Sequence, residues 1–208
     1  MEADLPDAAS IAGGPPPPAP GLTDPVGQAT EVFRALLSAM AQPARACDID
    51  LDLACVGRAH PASLAVLLTL ADTETPVCLV GSTELELGSF LRFHCGCPLT
   101  EHPQNAALGL ISEPVLACRA FEFPIGSDEY PDTSATVILE VGSLVAGPRQ
   151  TIKGPGIRSA VEFAPAVDAE FWSAWHTNTQ LYPRGIDVIF TCANEIAALP
   201  RSSRLAGS

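Results

Sequence analysis

The stretch ASLAVLLTLADTETPVCLVGSTELELGSFLRFH, residues 62–94, decides the fold class because it is typical of a helix, a strand and a second helix in succession. Its first ten residues are almost all apolar, and the turn at residues 72–76 separates them from the short apolar run Val77–Val80. Thr83, followed three residues later by Glu86, forms a capping box that predicts a helix ending near His94. A strand between two helices is the repeating unit of an α/β protein.

The alternation of helices and strands continues on both sides of this stretch. Upstream, Thr23, Asp24 and Pro25 provide an N-cap and a first-turn proline, which predict a helix that Pro43 closes. Downstream, the sequence predicts strands at 107–111, 136–141 and 187–192 and a helix at 167–180. Because the strands are continuous apolar runs, we expect a three-layer α/β fold, a sheet with helices on both faces.

Composition predicts one domain and a leader. The chain has 208 residues, of which 47% are hydrophobic, enough for one sizeable core. Residues 1–22 contain GGPPPPAP, which cannot build a core and favours an extended chain. We therefore expect a disordered Pro-rich leader at residues 1–22 and a single α/β domain at residues 23–208.

Charge and hydropathy exclude several classes of function. The formal net charge is −13 and the 11 basic residues are scattered, whereas nucleic-acid binding needs a clustered cationic face. No apolar run approaches the roughly 20 residues that span a bilayer, and the N-terminus lacks the pattern of a secretory signal. We expect a cytoplasmic protein that contacts neither nucleic acid nor membrane and whose seven cysteines remain thiols.

The segment His94-Cys95-Gly96-Cys97 suggests a metal or redox site, but its spacing argues against both. One residue separates Cys95 from Cys97, whereas paired zinc ligands are usually two to four residues apart and the common redox motif is C-x-x-C. The other five cysteines stand alone. The sequence therefore predicts no bound metal.

Arg92 and His94 are the best polar pair for a functional site. Arginine can grip phosphate or carboxylate with two hydrogen bonds, and histidine can transfer a proton near neutral pH. Asp72 could orient the arginine when no anion is bound. The structural alternative is that both cations cap the carbonyl groups at the end of a helix.

The segment from Lys153 to Arg158, KGPGIR, is a second candidate site. Its glycines permit tight turns that could hold an anion between the two cations, although glycine with proline is also typical of an ordinary turn. Lys153 is the only lysine, so Schiff-base chemistry could use no other residue. No catalytic triad or catalytic carboxylate pair is recognisable, and the catalytic residues stay unknown.

Several blocks spread over residues 30–203 resemble a known family, the PhnH subunit of the bacterial carbon-phosphorus lyase system for phosphonate breakdown. The blocks are Phe33-Arg34-x-Leu36-Leu37-x-Ala39-Met40 with Pro43; Leu67-Leu68-Thr69-Leu70-Ala71-Asp72 with Thr75-Pro76-Val77; Leu91-Arg92-Phe93-His94 with Pro98-Leu99; Gly154-x-Gly156-Ile157; Gly185-Ile186-Asp187-x-Ile189-x-Thr191-Cys192; and Ile196-x-Ala198-Leu199-Pro200-Arg201. None is a catalytic signature. The sequence departs from the family pattern in its Pro-rich leader, in Lys153 and around Cys118.

The resemblance implies a fold and a cellular role. The fold would be a reduced version of the pyridoxal-phosphate-dependent transferase fold, without the cofactor, and the chain alone would form a homodimer. Its partners would be the PhnG, PhnI and PhnJ subunits. With PhnG, PhnI and ATP, the subunit would support formation of ribose 1-methylphosphonate 5-triphosphate, in which phosphonate displaces adenine.

Two function classes remain open. The first is a noncatalytic or co-catalytic subunit of this complex. The second is a stand-alone phosphate-ligand-binding protein or transferase that uses Arg92 and His94. For either class, the candidate ligand or subunit-interface residues are Asp72, Arg92, His94, Lys153 and Arg158.

Overall fold

The computed structural model describes residues 19–82 and 84–207. Its helices are α1 (Pro25–Ala41), α2 (Pro61–Leu70), α3 (Glu84–His94) and α4 (Ala169–Gln180). Its strands are β1 (Cys47–Asp48), β2 (Val77–Val80), β3 (Leu108–Ile111), β4 (Thr136–Glu140), β5 (Gln150–Lys153), β6 (Val161–Phe163), β7 (Asp187–Cys192), β8 (Glu195–Leu199) and β9 (Arg204–Leu205). Three short 3-10 helices, η1 (Pro103–Asn105), η2 (Pro114–Glu122) and η3 (Pro131–Thr133), complete the order.

The main sheet has six strands in the order β1-β8-β7-β4-β3-β2. Its centre, from β2 through β3 and β4 to β7, is parallel, and β8 returns antiparallel to β7 through a tight turn. Strand β1 adds a short antiparallel edge. The predicted α/β class is confirmed: the sheet is mixed and mostly parallel.

Helices cover both faces of this sheet. Successive strand side chains point to opposite faces, so Ile138 joins the apolar cluster under α1, α2 and α3, whereas Val137 joins the cluster under α4 and η2. Helix α2 is apolar on nearly all sides, and its residues from Ala62 to Leu67 are buried. A helix of this kind belongs in a core.

A second, three-stranded antiparallel sheet has the order β6-β5-β9. Sequence analysis did not predict it. Ile152 of β5 is fully buried and Phe163 of β6 nearly so, and both join the cluster under α4. The outward side chains of β5, Thr151 and Lys153, are exposed. This small sheet therefore has one face in the core and one face on the surface.

The last four residues of the predicted leader pack against the domain. Ala19 and Leu22 are partly buried on the α1–α3 side, and the Ala19 carbonyl oxygen accepts a hydrogen bond from His94 Nε2 at 2.9 Å. Residues 19–22 therefore contact the domain, and the leader boundary after residue 22 stays a prediction. Residues 1–18 lie outside the described residues, and their disorder remains a prediction.

Helix α1 begins as the sequence predicted. Asp24 is the N-cap, its side chain accepts a hydrogen bond from the Gly27 backbone N–H at 3.1 Å, and Pro25 occupies the first turn. Within the described part of the chain, no helix is long and apolar enough to cross a membrane.

Candidate functional site

A cleft of about 390 Å³ lies beside β2, the edge strand of the main sheet. Helix α3 packs on one face of the sheet and η2 on the other, so the cleft receives side chains from both. It is lined by Leu79, Val80, Arg92, Leu99, Thr100, Glu101 and Arg119. We call it the edge cleft.

One wall of the edge cleft is built by the segment that follows α3. The Val77 backbone N–H donates to the Pro98 carbonyl at 2.8 Å, and the Thr100 N–H donates to the Val77 carbonyl at 3.0 Å. Leu99 thereby forms an isolated parallel bridge with Val77. These bonds extend the sheet by one bridge and bring Thr100 and Glu101 into the wall.

Arg92 reaches the cleft because its neighbours fix the helix. Phe90 and Leu91 are almost completely buried, which anchors the inner side of α3 in the core. Arg92 is exposed, and among the described residues its guanidinium makes no hydrogen bond or ion pair. The guanidinium therefore keeps its donors available to a ligand.

Arg119 contributes a second guanidinium from the opposite side. Buried Ala117 and Ala120 hold η2 against the sheet, and Arg119 forms a two-point contact with Glu122, at 3.3 Å from Nε and 3.1 Å from Nη2. Paired guanidinium groups suit the oxygens of phosphate, phosphonate or carboxylate. The lining of the cleft therefore contains two guanidinium groups, one of them held by Glu122, with Glu101 as its one acidic side chain.

His94 lies away from this cleft. Residues two apart on a helix do not face each other, and His94 instead holds the segment at residues 19–21. Its ring packs on Phe90 and Phe93, with centroid distances of 4.4 and 4.9 Å. Because a carbonyl oxygen only accepts, the bond to Ala19 requires a proton on Nε2. Arg92 and His94 thus contact different parts of the molecule.

Asp72 stabilises the turn after α2. Its carboxylate accepts hydrogen bonds from the Thr75 hydroxyl at 2.6 Å and from the Glu74 backbone N–H at 2.9 Å. The Thr75 bond is the main reason why the pKa of Asp72 is lowered. No ion pair joins Asp72 to Arg92.

The cysteines of the segment His94-Cys95-Gly96-Cys97 pack in the apolar cluster under α1, α2 and α3. Cys97 is buried, and burial raises its pKa. Burial, and then the neighbouring Cys97, raise the pKa of Cys95 to about 11. Both thiols therefore remain protonated near neutral pH, which disfavours metal ligation and nucleophilic attack. Among the described residues no group of three potential ligands comes together.

Lys153 lies on the small sheet and is not among the residues that line the edge cleft. It lines a separate pocket with Gly154, Pro155, Tyr182, Ser202 and Arg204. Arg158 is exposed and is not among the residues that line either pocket. The structure thus divides the five predicted site residues among separate places.

A buried polar cluster at the carboxyl ends of β4 and β7 was not predicted. Glu140 Oε1 accepts a hydrogen bond from the His60 backbone N–H at 2.7 Å, and His60 Nδ1 contacts the Thr191 carbonyl at 3.2 Å. The hydroxyls of Ser63 and Thr191 lie 2.8 Å apart. The sequence signal that could have indicated this cluster was Glu140, an acidic residue at the end of an apolar strand. The cluster ties the start of α2 to the sheet.

Fold and cleft together define a class: a mixed α/β protein with two arginines in the lining of a surface cleft. Comparison with known proteins assigns the chain to one family within this class. A family profile described as "Bacterial phosphonate metabolism protein (PhnH)" matches residues 20–206. The chain belongs to the PhnH family, as its sequence blocks predicted.

Two relatives agree with this family. The chain is 32% identical over 184 residues to alpha-D-ribose 1-methylphosphonate 5-triphosphate synthase subunit PhnH of Rhizobium meliloti, covering 88% of this chain and 92% of the relative. It is 33% identical over 85 residues to HtxG of Stutzerimonas stutzeri, a provisionally named C-P lyase subunit, covering 39% of this chain and 42% of that protein. The predicted relation to phosphonate metabolism is confirmed.

Proposed function

We propose that the chain is a subunit of the carbon-phosphorus lyase core complex and supports ATP-dependent formation of ribose 1-methylphosphonate 5-triphosphate. The observation that carries this proposal is the extent of the match to a synthase subunit, which covers 92% of that relative. Phosphonate would displace adenine from the ribose of ATP in concert with PhnG and PhnI, and PhnJ would act later on the carbon-phosphorus bond.

The edge cleft supports a role close to the phosphorus-bearing substrates. Arg92 has no partner among the described residues, and Arg119 approaches from the opposite side of the sheet. On a chain with a net charge of −13, a phosphate or phosphonate would be repelled in general and must be held locally. The cleft holds Glu101 but no histidine among its lining residues, which favours binding and positioning over proton transfer.

Co-purification tests the proposal directly. The full chain carrying an affinity tag is expressed with untagged PhnG, PhnI and PhnJ, and the tagged chain is expected to retain all three through size-exclusion chromatography. A tagged chain that elutes without them in the presence and absence of ATP would contradict the proposal. Expression of the tagged chain alone shows whether it elutes as the proposed homodimer.

We further propose that the fold is a reduced version of the pyridoxal-phosphate-dependent transferase fold, that the chain nevertheless binds no pyridoxal phosphate, and that it acts in the cytoplasm. Lys153 supports the second point, because it is exposed on the small sheet and a Schiff-base lysine needs a desolvated amine. When the purified chain is titrated with pyridoxal phosphate, we expect no aldimine absorbance band. A band that appears with the unchanged chain and is missing in a Lys153→Ala variant would contradict the proposal.

The second candidate function is a stand-alone phosphate-ligand-binding protein or transferase. The observation in its favour is that Arg92 is unpaired in a cleft large enough for a small ligand. The isolated chain is incubated with ATP and methylphosphonate, and we expect no turnover of ATP. Binding of ATP or of methylphosphonate alone is compatible with this result. Turnover by the isolated chain would favour the transferase.

A further inference from the structure

Besides the edge cleft, the pocket beside Lys153 also brings two cations together. It measures about 380 Å³, within the range of small-ligand sites. Its lining combines two cations, Lys153 and Arg204, with the hydroxyl-bearing residues Tyr182 and Ser202 and the turn residues Gly154 and Pro155. No acidic residue is among them.

The sheet register forces the two cations together. Lys153 of β5 lies directly opposite Arg204 of β9 in an antiparallel pair. Side chains in such a pair share one face, with Cβ atoms about 5 Å apart, and like charges there are destabilising. Among the described residues neither Lys153 nor Arg204 has an ion pair or side-chain hydrogen bond that would relieve this repulsion. On its other side β5 pairs Thr151 with Glu162. Thr151 is two residues from Lys153 and on the same face, so Glu162 is a diagonal neighbour of Lys153, and its carboxylate lies 3.4 Å from Arg149 Nη1.

The pocket wall is held in place by contacts with the rest of the fold. Arg201, next to Ser202, forms a partly buried ion pair with Asp187 and donates a hydrogen bond to the Pro131 carbonyl at 2.8 Å. On the other side, Trp175 Nε1 donates to the Ser203 carbonyl at 3.0 Å. The wall is therefore fixed before any ligand arrives, which lowers the entropy cost of binding.

The turn at Gly154 closes the pocket from the β5 side. Gly154 has φ +155°, and a Cβ added there would lie 2.9 Å from the Ser202 carbonyl oxygen. The backbone of residues 202–203 thus packs directly on the turn. Any larger residue would push the two walls apart.

We propose that this pocket binds a tetrahedral phosphorus oxyanion, held between Lys153 and Arg204. The ammonium and guanidinium groups provide charge-assisted donors, and a dianion between them converts their repulsion into attraction. The Ser202 hydroxyl can donate a further hydrogen bond. The pocket exceeds the size of inorganic phosphate, so the organic part of a phosphate ester would lie against the Tyr182 ring.

This site is separate from the edge cleft and does not depend on the proposed function. It extends the anion site that the sequence suggested at KGPGIR in one specific way. The second cation is Arg204, about 50 residues away along the chain, and not Arg158.

The test measures binding of inorganic phosphate and of phenyl phosphate to the full chain by isothermal titration calorimetry. Lys153→Met and Arg204→Met are each expected to weaken binding at least about tenfold, since each removes a charge-assisted hydrogen bond. The matched control is Arg45→Met, which removes one exposed cation whose guanidinium donates a hydrogen bond to Gln42 and lines neither pocket. It is expected to bind like the unchanged chain.

Thermal unfolding provides an independent readout. Without ligand, Lys153→Met is expected to raise the melting temperature because it removes a like-charge pair. Phosphate is expected to raise the melting temperature of the unchanged chain and of Arg45→Met but not of Lys153→Met.

The two ligands separate the sources of the oxyanion. Equal affinity for both supports a site for the bare anion, and tighter binding of phenyl phosphate supports an ester whose organic part lies on Tyr182. Absence of saturable binding of either ligand, or equal losses in Lys153→Met and Arg45→Met, would overturn the proposal.

Discussion

Gly156 shows how a single residue fixes the position of the KGPGIR turn. It has φ +81°, and a Cβ added there would lie 2.0 Å from the carbonyl oxygen of Ala41, the last residue of α1. Backbone atoms cannot yield as a flexible side chain does, so the turn and the helix end touch at a point where only glycine fits.

We therefore predict that Gly156→Ala lowers the free energy of unfolding by roughly 2–5 kcal/mol, from left-handed backbone strain and overpacking. The control is Gly142→Ala, where an added Cβ meets nothing within 4 Å. Urea denaturation of both variants measures the difference. Equal stability of the two variants would show that the turn does not pack on α1.

Cys95 provides a prediction about pH. Its pKa is raised to about 11, chiefly by burial, so iodoacetamide at pH 8 is expected to label exposed Cys55 and to spare Cys95. The unfolded chain loses this proton near the ordinary value of 9.0 while the folded chain keeps it. The neutral thiol's contribution to stability is therefore complete below pH 9 and is lost as pH rises toward 11.

Peptide mass spectrometry after timed alkylation measures this order of labelling. Rapid modification of Cys95 at pH 8 would contradict it. A Cys95→Ser variant controls for the stability effect, because its unfolding free energy should depend less on pH between 9 and 11.

At the scale of elements, the segment at residues 19–22 acts as a strap over α3. One hydrogen bond from His94, the contact of Gly21 with the imidazole ring and the partial burial of Leu22 hold it. An intramolecular hydrogen bond contributes about 1 kcal/mol, so the strap is a modest but measurable part of the stability.

We predict that deletion of residues 1–22 lowers the melting temperature by about 2–8 °C, for a loss of about 1–2 kcal/mol. Deletion of residues 1–18 is the control and is expected to leave the melting temperature unchanged, because Ala19 and the strap remain. His94→Ala should reproduce part of the larger deletion's effect. Identical melting curves for the two deletions would contradict a docked strap.

The elements that sequence predicted are those whose signal is local. Helix α1 between Pro25 and Pro43, and strands β2 and β7, were predicted within about two residues because caps, prolines and apolar runs mark them. Strand β8, with the sequence EIAAL, was missed because its alanines favour helix. It becomes a strand through pairing with β7 across a tight turn.

The same distinction holds for the sites. Arg92 could be proposed from the sequence because it stands at a helix end, a local feature. Arg119 and Glu101 were missed because the sheet edge, rather than sequence spacing, brings them to Arg92. Arg204 was missed for the same reason, since its position opposite Lys153 depends on the register of a sheet that the sequence did not indicate.

At the scale of the whole molecule, the net negative charge repels anionic ligands, whereas unpaired cations in a cleft can attract them locally. The chain carries 24 acidic and 11 basic residues, and several arginines are already paired, among them Arg149 with Glu162 and Arg184 with Asp128. The positive electrostatic potential is therefore strongest where a cation in a cleft has no acidic partner. Arg92 is such a cation, and this makes the edge cleft the best place to test function.

We predict that Arg92→Ala leaves the fold intact and abolishes growth on methylphosphonate as sole phosphorus source, in a host that lacks its own copy of this subunit. Arg92 is exposed and unpaired among the described residues, so its loss should change the unfolding free energy by no more than about 0.5 kcal/mol. The growth defect would arise because an oxyanion loses one of its two guanidinium partners.

Arg45→Ala is the matched control and should support normal growth. Arg92→Lys separates the roles of charge and geometry: it keeps the positive charge but cannot form the two-point contact, so growth should recover only in part. Full growth of Arg92→Ala, with normal protein levels, would show that the edge cleft does not serve phosphonate breakdown, whereas a large drop in melting temperature would assign Arg92 to the stability of α3.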